Sequence, residues 1–324
     1  YLRGRIGGDR YDHHRTNSTP WGTAYQPNGS INETKRTFQQ YDVDVFLGTD
    51  NLELTDGLSL TTFVGMGSNV QEYDAVSKSG SHFIVPFLLN VGNTKNQGGG
   101  YSYWKKQINS VYGSAELGFG GYAYLTLTAR NDWYSTLSLK DKKAPNNDLY
   151  TSASVSLVLS DALDLGDTVS FLKLRGGYSQ VAGGADSPYA LSLAYGIYGQ
   201  GHLGASLGSI SGGTIPNSEI TPFEKNETEF GVDLRMFDNK FSIDATYYDN
   251  ETLGDIVGVS ASATSGYGSA LANLGNISNK GIELLIKGTP IQTDDFAWNV
   301  SLNYTNNTSK VVATNDTGGN ISMD

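Results

Sequence analysis

Apolar and polar side chains alternate with a period of two along much of the chain, and the pattern is clearest between Asn226 and Asn250. One alternating run ends at the turn Asp238-Asn239, and a second run follows it. Because neighbouring side chains of a β-strand point to opposite faces, this period predicts two strands that separate an apolar environment from a wet one. The apolar positions are Phe230, Val232, Leu234 and Met236 in the first run, and Phe241, Ile243, Ala245 and Tyr247 in the second.

The same alternation recurs along the chain and predicts about eleven strands, each of roughly the 9–11 residues that a tilted strand needs to cross a bilayer. The predicted strands are residues 1–7, 37–48, 57–67, 107–118, 122–131, 149–159, 169–180, 226–236, 241–250, 277–287 and 296–306.

The gaps between these strands alternate in length. Short gaps lie at 49–56, 119–121, 160–168, 237–240 and 288–295, and long gaps lie at 8–36, 68–106, 132–148, 181–225 and 251–276. A transmembrane β-barrel is connected in this way, with tight turns on one side of the membrane and large loops on the other. A soluble β-sandwich would show mixed lengths at both ends. The sequence therefore predicts an all-β fold, the wall of an antiparallel transmembrane β-barrel.

Composition agrees with this fold class. Hydrophobic residues make up 38% of the chain, and no run approaches the roughly 20 apolar residues of a membrane helix. A helical membrane protein is therefore excluded, whereas a barrel is allowed because half of each barrel strand faces a polar interior. The net charge of −11 argues against nucleic acid as a partner. The lack of cysteine is compatible with an exported bacterial protein.

Several segments, in their order and spacing, resemble the SusC/RagA-type TonB-dependent outer-membrane transporters. The similarity is strongest from about Gln107 to Val312. The segments that carry it are Leu172 to Gln180, Arg130-Asn131-Asp132, Glu224 to Leu234, Asn273 to Leu284, and Trp298 with Asn303, Asn307, Lys310 and Val311 after it.

The resemblance implies an importer in the outer membrane of a Bacteroidetes-type bacterium. Such transporters have a 22-stranded barrel filled by an N-terminal plug, a SusD-like surface lipoprotein as partner, and the TonB complex as energy source. The eleven predicted strands correspond to about half of such a barrel. No plug and no TonB box are recognised in the chain. We therefore expect residues 1–324 to form a partial β-barrel domain in contact with outer-membrane lipid.

Charged side chains on the face opposite the apolar one are expected to face the lumen. They need water or partners there, and an ion-pair network that holds the wall against the plug is favoured over direct contact with substrate. The residues are Arg130, Lys173, Arg175, Glu229, Asp233, Arg235, Asp244, Glu283 and Lys287.

Aromatic residues in the predicted long loops are the candidate ligand contacts. Their flat faces can stack on a sugar ring or pack against a peptide side chain, although packing within the loop or against the lipoprotein is an equal alternative. The two groups are Tyr101, Tyr103 and Trp104, and Tyr189, Tyr195 and Tyr198 with His202.

Other candidate chemistry is sparse. The pair His13-His14, expected in a loop, has no third metal ligand at a suitable spacing, so no metal is predicted. The stretch Gln97 to Gly100 is expected to be a flexible loop rather than a phosphate cradle, because no amphipathic helix follows it. No nucleophile with its base is recognisable. We expect neither a cofactor nor an enzyme.

Three functions from different classes stay open at this point. The first is active import of oligosaccharides or peptides, for which the chain supplies a gated wall. The second is a passive porin or an adhesin barrel. The third is a secreted β-sandwich that binds carbohydrate.

Overall fold

The computed structural model describes residues 1–203, 205–211 and 213–313, and the chain is almost entirely β-structure. The described residues contain one α-helical turn and three 3-10 turns, which lie in connections. The strands are β1 Leu2–Thr19, β2 Ser30–Thr55, β3 Leu58–Phe83, β4 Thr94–Phe119, β5 Ala123–Tyr134, β6 Asn147–Val158, β7 Val169–Gly183, β8 Ala194–His202, β9 Ala205–Ser211, β10 Thr214–Ile215, β11 Phe223–Met236, β12 Phe241–Leu253, β13 Ile256–Ser260, β14 Ser269–Asn273, β15 Asn276–Gln292 and β16 Ala297–Ala313. The helical turns are α1 Leu159–Ala162 and the 3-10 turns Val91–Asn93, Ser135–Leu137 and Ala263–Ser265.

One large antiparallel sheet contains eleven of these strands in the order β1-β2-β3-β4-β5-β6-β7-β11-β12-β15-β16. Chain neighbours are sheet neighbours throughout, apart from strands that belong to two small sheets, β8-β9 and β10-β14-β13. A single continuous sheet does not have the two facing layers of a β-sandwich, so the third hypothesis is wrong. Within the described residues, no helix combines the length and the apolar character needed to cross a membrane.

All eleven predicted strands are present in the main sheet, but the first four are longer than predicted. The predicted loops 8–36 and 68–106 are mostly strand, and only residues 20–29 and 84–93 connect β1 to β2 and β3 to β4. The alternation of apolar and polar residues fades in these parts because both faces carry polar side chains. Hydrophobic period therefore gave no signal there.

The chain divides into two compact units. The first unit comprises residues 1–3, 46–66 and 110–324, and the second comprises residues 4–45 and 67–109. The two are described separately below.

Strand register in the first unit separates an apolar face from a polar one. Leu234 of β11 is paired with Ile243 of β12 and Leu172 of β7, and all three carry apolar side chains. One position earlier, Asp233 is paired with Asp244 and Lys173. Since directly paired residues of neighbouring strands share a face, the register produces the two-faced sheet that the alternation predicted.

A small core in the first unit lies beneath its long connections. Tyr134, Leu137, Leu191 and Ile220 are each at most 5% exposed. The Tyr134 hydroxyl donates to the carbonyl oxygen of Ala182 at 2.9 Å. This core fixes the connection 135–146 and the connection 184–222 against the ends of β5 and β7.

Candidate ligand-binding and interior surfaces

Arg175 is the centre of an ionic network on the polar face. From β7 its guanidinium reaches across β11 to β12, where it donates to Asp244 Oδ1 at 2.8 Å and to Thr246 Oγ1 at 2.5 Å. Its Nε lies 3.6 Å from Glu229 Oε1. The side chains are about one-third to half exposed, so water weakens these ion pairs. The network therefore fixes the positions of the three side chains but contributes little to the free energy of unfolding.

Gly231 makes this crossing possible. It is paired with both Arg175 and Thr246, directly under the path of the guanidinium. A Cβ at position 231 would lie 2.6 Å from Arg175 Cζ, which is far inside van der Waals contact. Glycine is required here for the close approach of a side chain, not for an unusual backbone angle.

Arg130 forms a second network that links β4, β5 and β6. Its Nε donates to Asp132 Oδ1 at 2.8 Å, and its terminal nitrogen donates to Ser110 Oγ at 2.8 Å. Asp132 is buried and also accepts the Tyr150 hydroxyl at 2.6 Å. A buried carboxylate with two such donors is well compensated.

The remaining predicted lumen-facing residues vary in their contacts. Arg235 pairs with Asp233 at 2.9 Å and lies over the ring of Phe171, with its Cζ 4.8 Å from the ring centroid. Within the described part of the chain, no ion pair is found for Lys173, Glu283 or Lys287. The structure thus brings Arg175, Glu229 and Asp244 together and leaves Arg130 in a network of its own. Whether this face borders a lumen stays a prediction.

An aromatic row on the polar face was missed by the sequence analysis. The rings of Tyr1, Phe46, Phe63 and Tyr112 follow one another at centroid distances of 6.3, 5.9 and 6.1 Å. The guanidinium of Arg130 lies over the Tyr112 ring, which places the row on the same face as the charged residues.

Glycines make room for this row. A Cβ at Gly65 would lie 2.8 Å from Phe46 Cβ, and one at Gly48 would lie 2.8 Å from Phe63 Cβ. Phe46 and Phe63 each lie one position away from the apolar residues of their strands and therefore on the opposite face. Two aromatic residues on the polar face are the signal that could have revealed the row.

The first aromatic group was assigned to a loop, and this is wrong. Tyr101, Tyr103 and Trp104 lie on β4 in the second unit, because the strand continues well beyond its predicted start. The Tyr101 hydroxyl donates to Asp74 Oδ2 at 2.6 Å, and this bond raises the pKa of Tyr101. The Tyr103 hydroxyl donates to Glu72 Oε1 at 2.7 Å. The same extension places Gly98 to Gly100 on β4, and β1, which continues to Thr19, contains His13-His14, so the loop predictions for these segments are also wrong.

Trp104 belongs to an aromatic cluster in the second unit. Its ring stacks on Tyr73 at 5.5 Å with an angle of 12° between the planes, and it also contacts Phe38 at 6.3 Å. Tyr11 stacks on Phe38 at 5.1 Å. Trp104 therefore has a pre-ordered ring surface, whereas the hydroxyls of Tyr101 and Tyr103 are engaged by carboxylates.

The second aromatic group lies in the first unit. Tyr189 is 61% exposed, has a backbone φ of 64°, and lines a cavity of about 380 Å³ together with Asp186, Thr214 and Leu271. Tyr195 lies on β8 and is 70% exposed. The side chains of Tyr198 and His202 lie outside the described part of the structure. Tyr189 is thus placed at a cavity.

Side chains from two other connections hold the connection that contains Tyr189. Lys142 donates to the carbonyl oxygens of Leu137, Pro145 and Ile220 at 2.9, 3.2 and 2.6 Å. Burial lowers the pKa of Lys142, and the three carbonyls keep its buried end hydrogen-bonded.

Asn273, part of the motif singled out in the sequence, makes a similar connection. Its amide donates to the carbonyls of Thr221 and Gly254, and its oxygen accepts the Thr221 N–H. The connection that contains Tyr189 is thus tied to both of its neighbours.

No metal centre is formed by the described residues, since no three His, Cys, Asp or Glu side chains are grouped to hold an ion. His13 and His14 therefore have no third ligand within this part of the chain.

Comparison with known proteins identifies the family. Residues 2–322 match the model of the TonB dependent receptor-like β-barrel. TonB-dependent receptor P3 of Formosa agariphila is 25% identical over 278 residues, which is 82% of this chain and 26% of that protein. TonB-dependent receptor P26 of the same organism is 26% identical over 66% of this chain and 21% of its own length. The chain thus spans about a quarter of the curated relatives it matches.

Solved structures agree in fold. A structure of the RagAB peptide transporter superposes with a TM-score of 0.82 at 19% identity, over 96% of this chain and 34% of that chain. The siderophore receptor PirA from Pseudomonas aeruginosa gives a TM-score of 0.51 at 14% identity, over 96% and 51%. At these identities the likeness concerns the fold alone. By the match along nearly its whole length, the chain belongs to the TonB-dependent receptor-like β-barrel family, whose members are outer-membrane transporters and not enzymes.

Proposed function

We propose that the chain is part of the wall of a SusC-like importer that takes up oligosaccharides or peptides across the outer membrane of a Bacteroidetes-type bacterium. The observation that carries the proposal is the register of the main sheet, which places Leu234 on an apolar face and Asp233 among ionised residues on the other. A wall between lipid and a wet interior requires this separation. In this function the chain carries out no bond chemistry and acts as a gated boundary.

The candidate substrate contacts lie on a long connection and on β4. Tyr189 at its cavity and the ring of Trp104 supply flat surfaces for a sugar ring or a peptide side chain. The networks around Arg175 and Arg130 instead shape the polar face, because their charges are already paired.

The proposed partners follow from the family and from the RagAB likeness. A SusD-like surface lipoprotein would cover the outer connections, and the TonB complex would supply energy through parts of the whole protein beyond this barrel segment. A peptide is the substrate class in the name of the RagAB transporter, and a glycan is an equal candidate for this chain.

Growth on defined nutrients tests the proposal. A strain that lacks the gene is grown on a panel of glycans and peptides, and we expect growth on one class to be lost and then restored by the whole protein. Inactivation of TonB should abolish that restoration. Equal growth of the mutant on every nutrient would contradict import. Restoration that persists without TonB would instead indicate the passive porin.

A further inference from the structure

A polar cleft crosses the outer ends of four neighbouring strands in the second unit. It has a volume of about 550 Å³ and is lined by residues of β1, β2, β3 and β4 near the connections 20–29 and 84–93. The volume is in the range of about 300–1,000 Å³ that is usual for small-molecule sites. None of the residues with which the sequence analysis predicted ligand binding lines it.

The lining takes three consecutive residues from each strand, and the first and third of each set lie on one face of the sheet. Ser30 and Asn32 come from β2, and Ser79 and Ser81 come from β3. Because alternate residues of a strand share a face, two side chains each from β2 and β3 point to the face of the cleft, and on β4 Asn96 does so beside Gly98, which has no side chain. Small side chains on adjacent strands leave the depression that a row of larger residues would fill.

The chemistry of the cleft is neutral and rich in hydrogen-bonding groups. Hydroxyl and carboxamide side chains dominate, and no ionisable side chain of a described residue lines it. Such groups both donate and accept, which matches the hydroxyls of a sugar. The cleft offers no charged side chain to pair with a charged ligand, and the net charge of −11 would repel an anionic one. The cleft therefore favours uncharged ligands.

Part of this hydrogen-bonding capacity is unused. Asn17 Oδ1 accepts from Arg15, and the Asn96 amide donates to Ser81 Oγ at 3.4 Å. Within the described residues, the hydroxyls of Ser30 and Ser79 make no side-chain hydrogen bond. These two hydroxyls lie on adjacent strands and are available to a ligand.

The aromatic cluster of the second unit lies on the same face of the strands. Tyr73 lies six residues before Ser79 on β3, and Trp104 lies six residues after Gly98 on β4. An even separation along a strand keeps side chains on one face. At about 3.3 Å per residue, the stacked rings lie roughly 20 Å along the strands from the cleft.

We infer that this cleft is a binding site for a neutral oligosaccharide, with the Tyr73–Trp104 ring pair as a stacking surface further along the strands. Hydrogen bonds to hydroxyls at one point and ring stacking at another suit a chain of uncharged sugars. A peptide would bring charged termini and side chains to a site that offers no opposite charge. The inference deepens the proposed function by choosing the saccharide over the peptide.

Calorimetric titration of the purified whole protein in detergent tests the site. The probes are neutral tetrasaccharides with different linkages, an oligogalacturonate and a tetra-alanine peptide. We expect at least one neutral tetrasaccharide to bind, and we expect Asn96→Leu to weaken that binding at least tenfold. Trp104→Leu should weaken it to a smaller extent.

The adjacent substitution Lys95→Leu is the matched control. Lys95 is exposed, lies one residue earlier on β4 and therefore points to the opposite face, so its replacement should leave the affinity unchanged. Thermal unfolding of both variants measures whether they fold equally well.

Three outcomes would overturn the inference: binding of the peptide or the oligogalacturonate in place of neutral sugars, no binding of any tetrasaccharide, or equal effects of Asn96→Leu and Lys95→Leu. Saccharide binding that is sensitive to Asn96→Leu, together with TonB-independent uptake, would contradict the proposed active import while supporting the site.

Discussion

At the scale of single residues, the sequence predicts which face a side chain occupies but not its partner. The alternation placed Arg175, Asp244 and Glu229 on one face, and the register agrees. That Arg175 bypasses its nearest strand to reach Asp244 depends on the missing side chain of Gly231, which no periodicity reveals. The cavity beside Tyr189 was equally hidden, because it is formed by connections distant in sequence.

Replacing Gly231 tests this crossing. In Gly231→Ala the new methyl group would displace the Arg175 guanidinium, and loss of its partly exposed charged hydrogen bonds should lower the free energy of unfolding by about 1 kcal/mol. Urea unfolding in lipid vesicles, followed by tryptophan fluorescence, measures the change. Gly4→Ala is the control, because a Cβ at Gly4 meets nothing within 4 Å. Equal stability of the two variants would contradict the role of Gly231.

Lys142 gives a second prediction at this scale. Lys142→Met removes the donor shared by three carbonyl oxygens, so the connections 135–146 and 184–222 should separate more readily. Limited proteolysis should then cut the second of these connections several times faster than in the unmodified protein. Lys143→Met, at an exposed neighbouring position, should not change the rate. Slow cleavage in both variants would mean that other contacts hold the connections.

At the scale of elements, the main-sheet strands were predictable and the others were not. A strand with one apolar face produces an alternation of apolar and polar residues in the sequence. That alternation predicts all eleven strands of the main sheet. The outer halves of β2, β3 and β4 carry polar residues on both faces, and the five strands of the small sheets lie in connections rich in Gly, Ser and Thr. Long-range pairing, rather than local pattern, determines these segments.

The two faces of β11 give the prediction at this scale. Leu234→Arg should impair assembly into the membrane by about 2–4 kcal/mol if the site lies near the bilayer centre. Asp233→Asn should leave assembly mostly intact because its side chain faces the other way. Heat-dependent electrophoretic mobility of the outer-membrane fraction reports the assembled protein. Equal loss of assembled protein in both variants would refute the two-faced sheet. Spin labels placed along residues 228–236 give a second test, because their accessibility to oxygen should alternate from one residue to the next.

At the scale of the whole molecule, the family and the outer-membrane location follow from the match of residues 2–322 to the family model, with which the alternation of gap lengths agrees. Substrate identity does not follow, because it depends on small clefts and connections whose composition resembles ordinary loop sequence. The net charge of −11 likewise excludes a partner class without selecting one. The sequence therefore predicts the strands of the sheet better than it predicts the ligand.

Tryptophan quenching tests the position of the sheet in the bilayer. Trp298 lies on β16 among apolar residues and is 52% exposed, whereas Trp104 stacks on Tyr73 in the second unit. In single-tryptophan variants of the whole protein, brominated lipids should quench Trp298 strongly and Trp104 weakly. Stronger quenching of Trp104, or equal quenching of both residues, would contradict a lipid-facing position of Trp298.

The contact of Phe83 with Gly29 has a practical consequence for surface display. The Phe83 ring, at the end of β3, is 1% exposed and lies 2.6 Å from the position that a Cβ of Gly29 would take, so the connection 20–29 is packed against the end of β3. Gly22, in the same connection as Gly29, faces open space. A foreign epitope inserted at Gly22 would be presented to antibodies on living cells, whereas the same tag at Gly29 would push the connection 20–29 away from the end of β3.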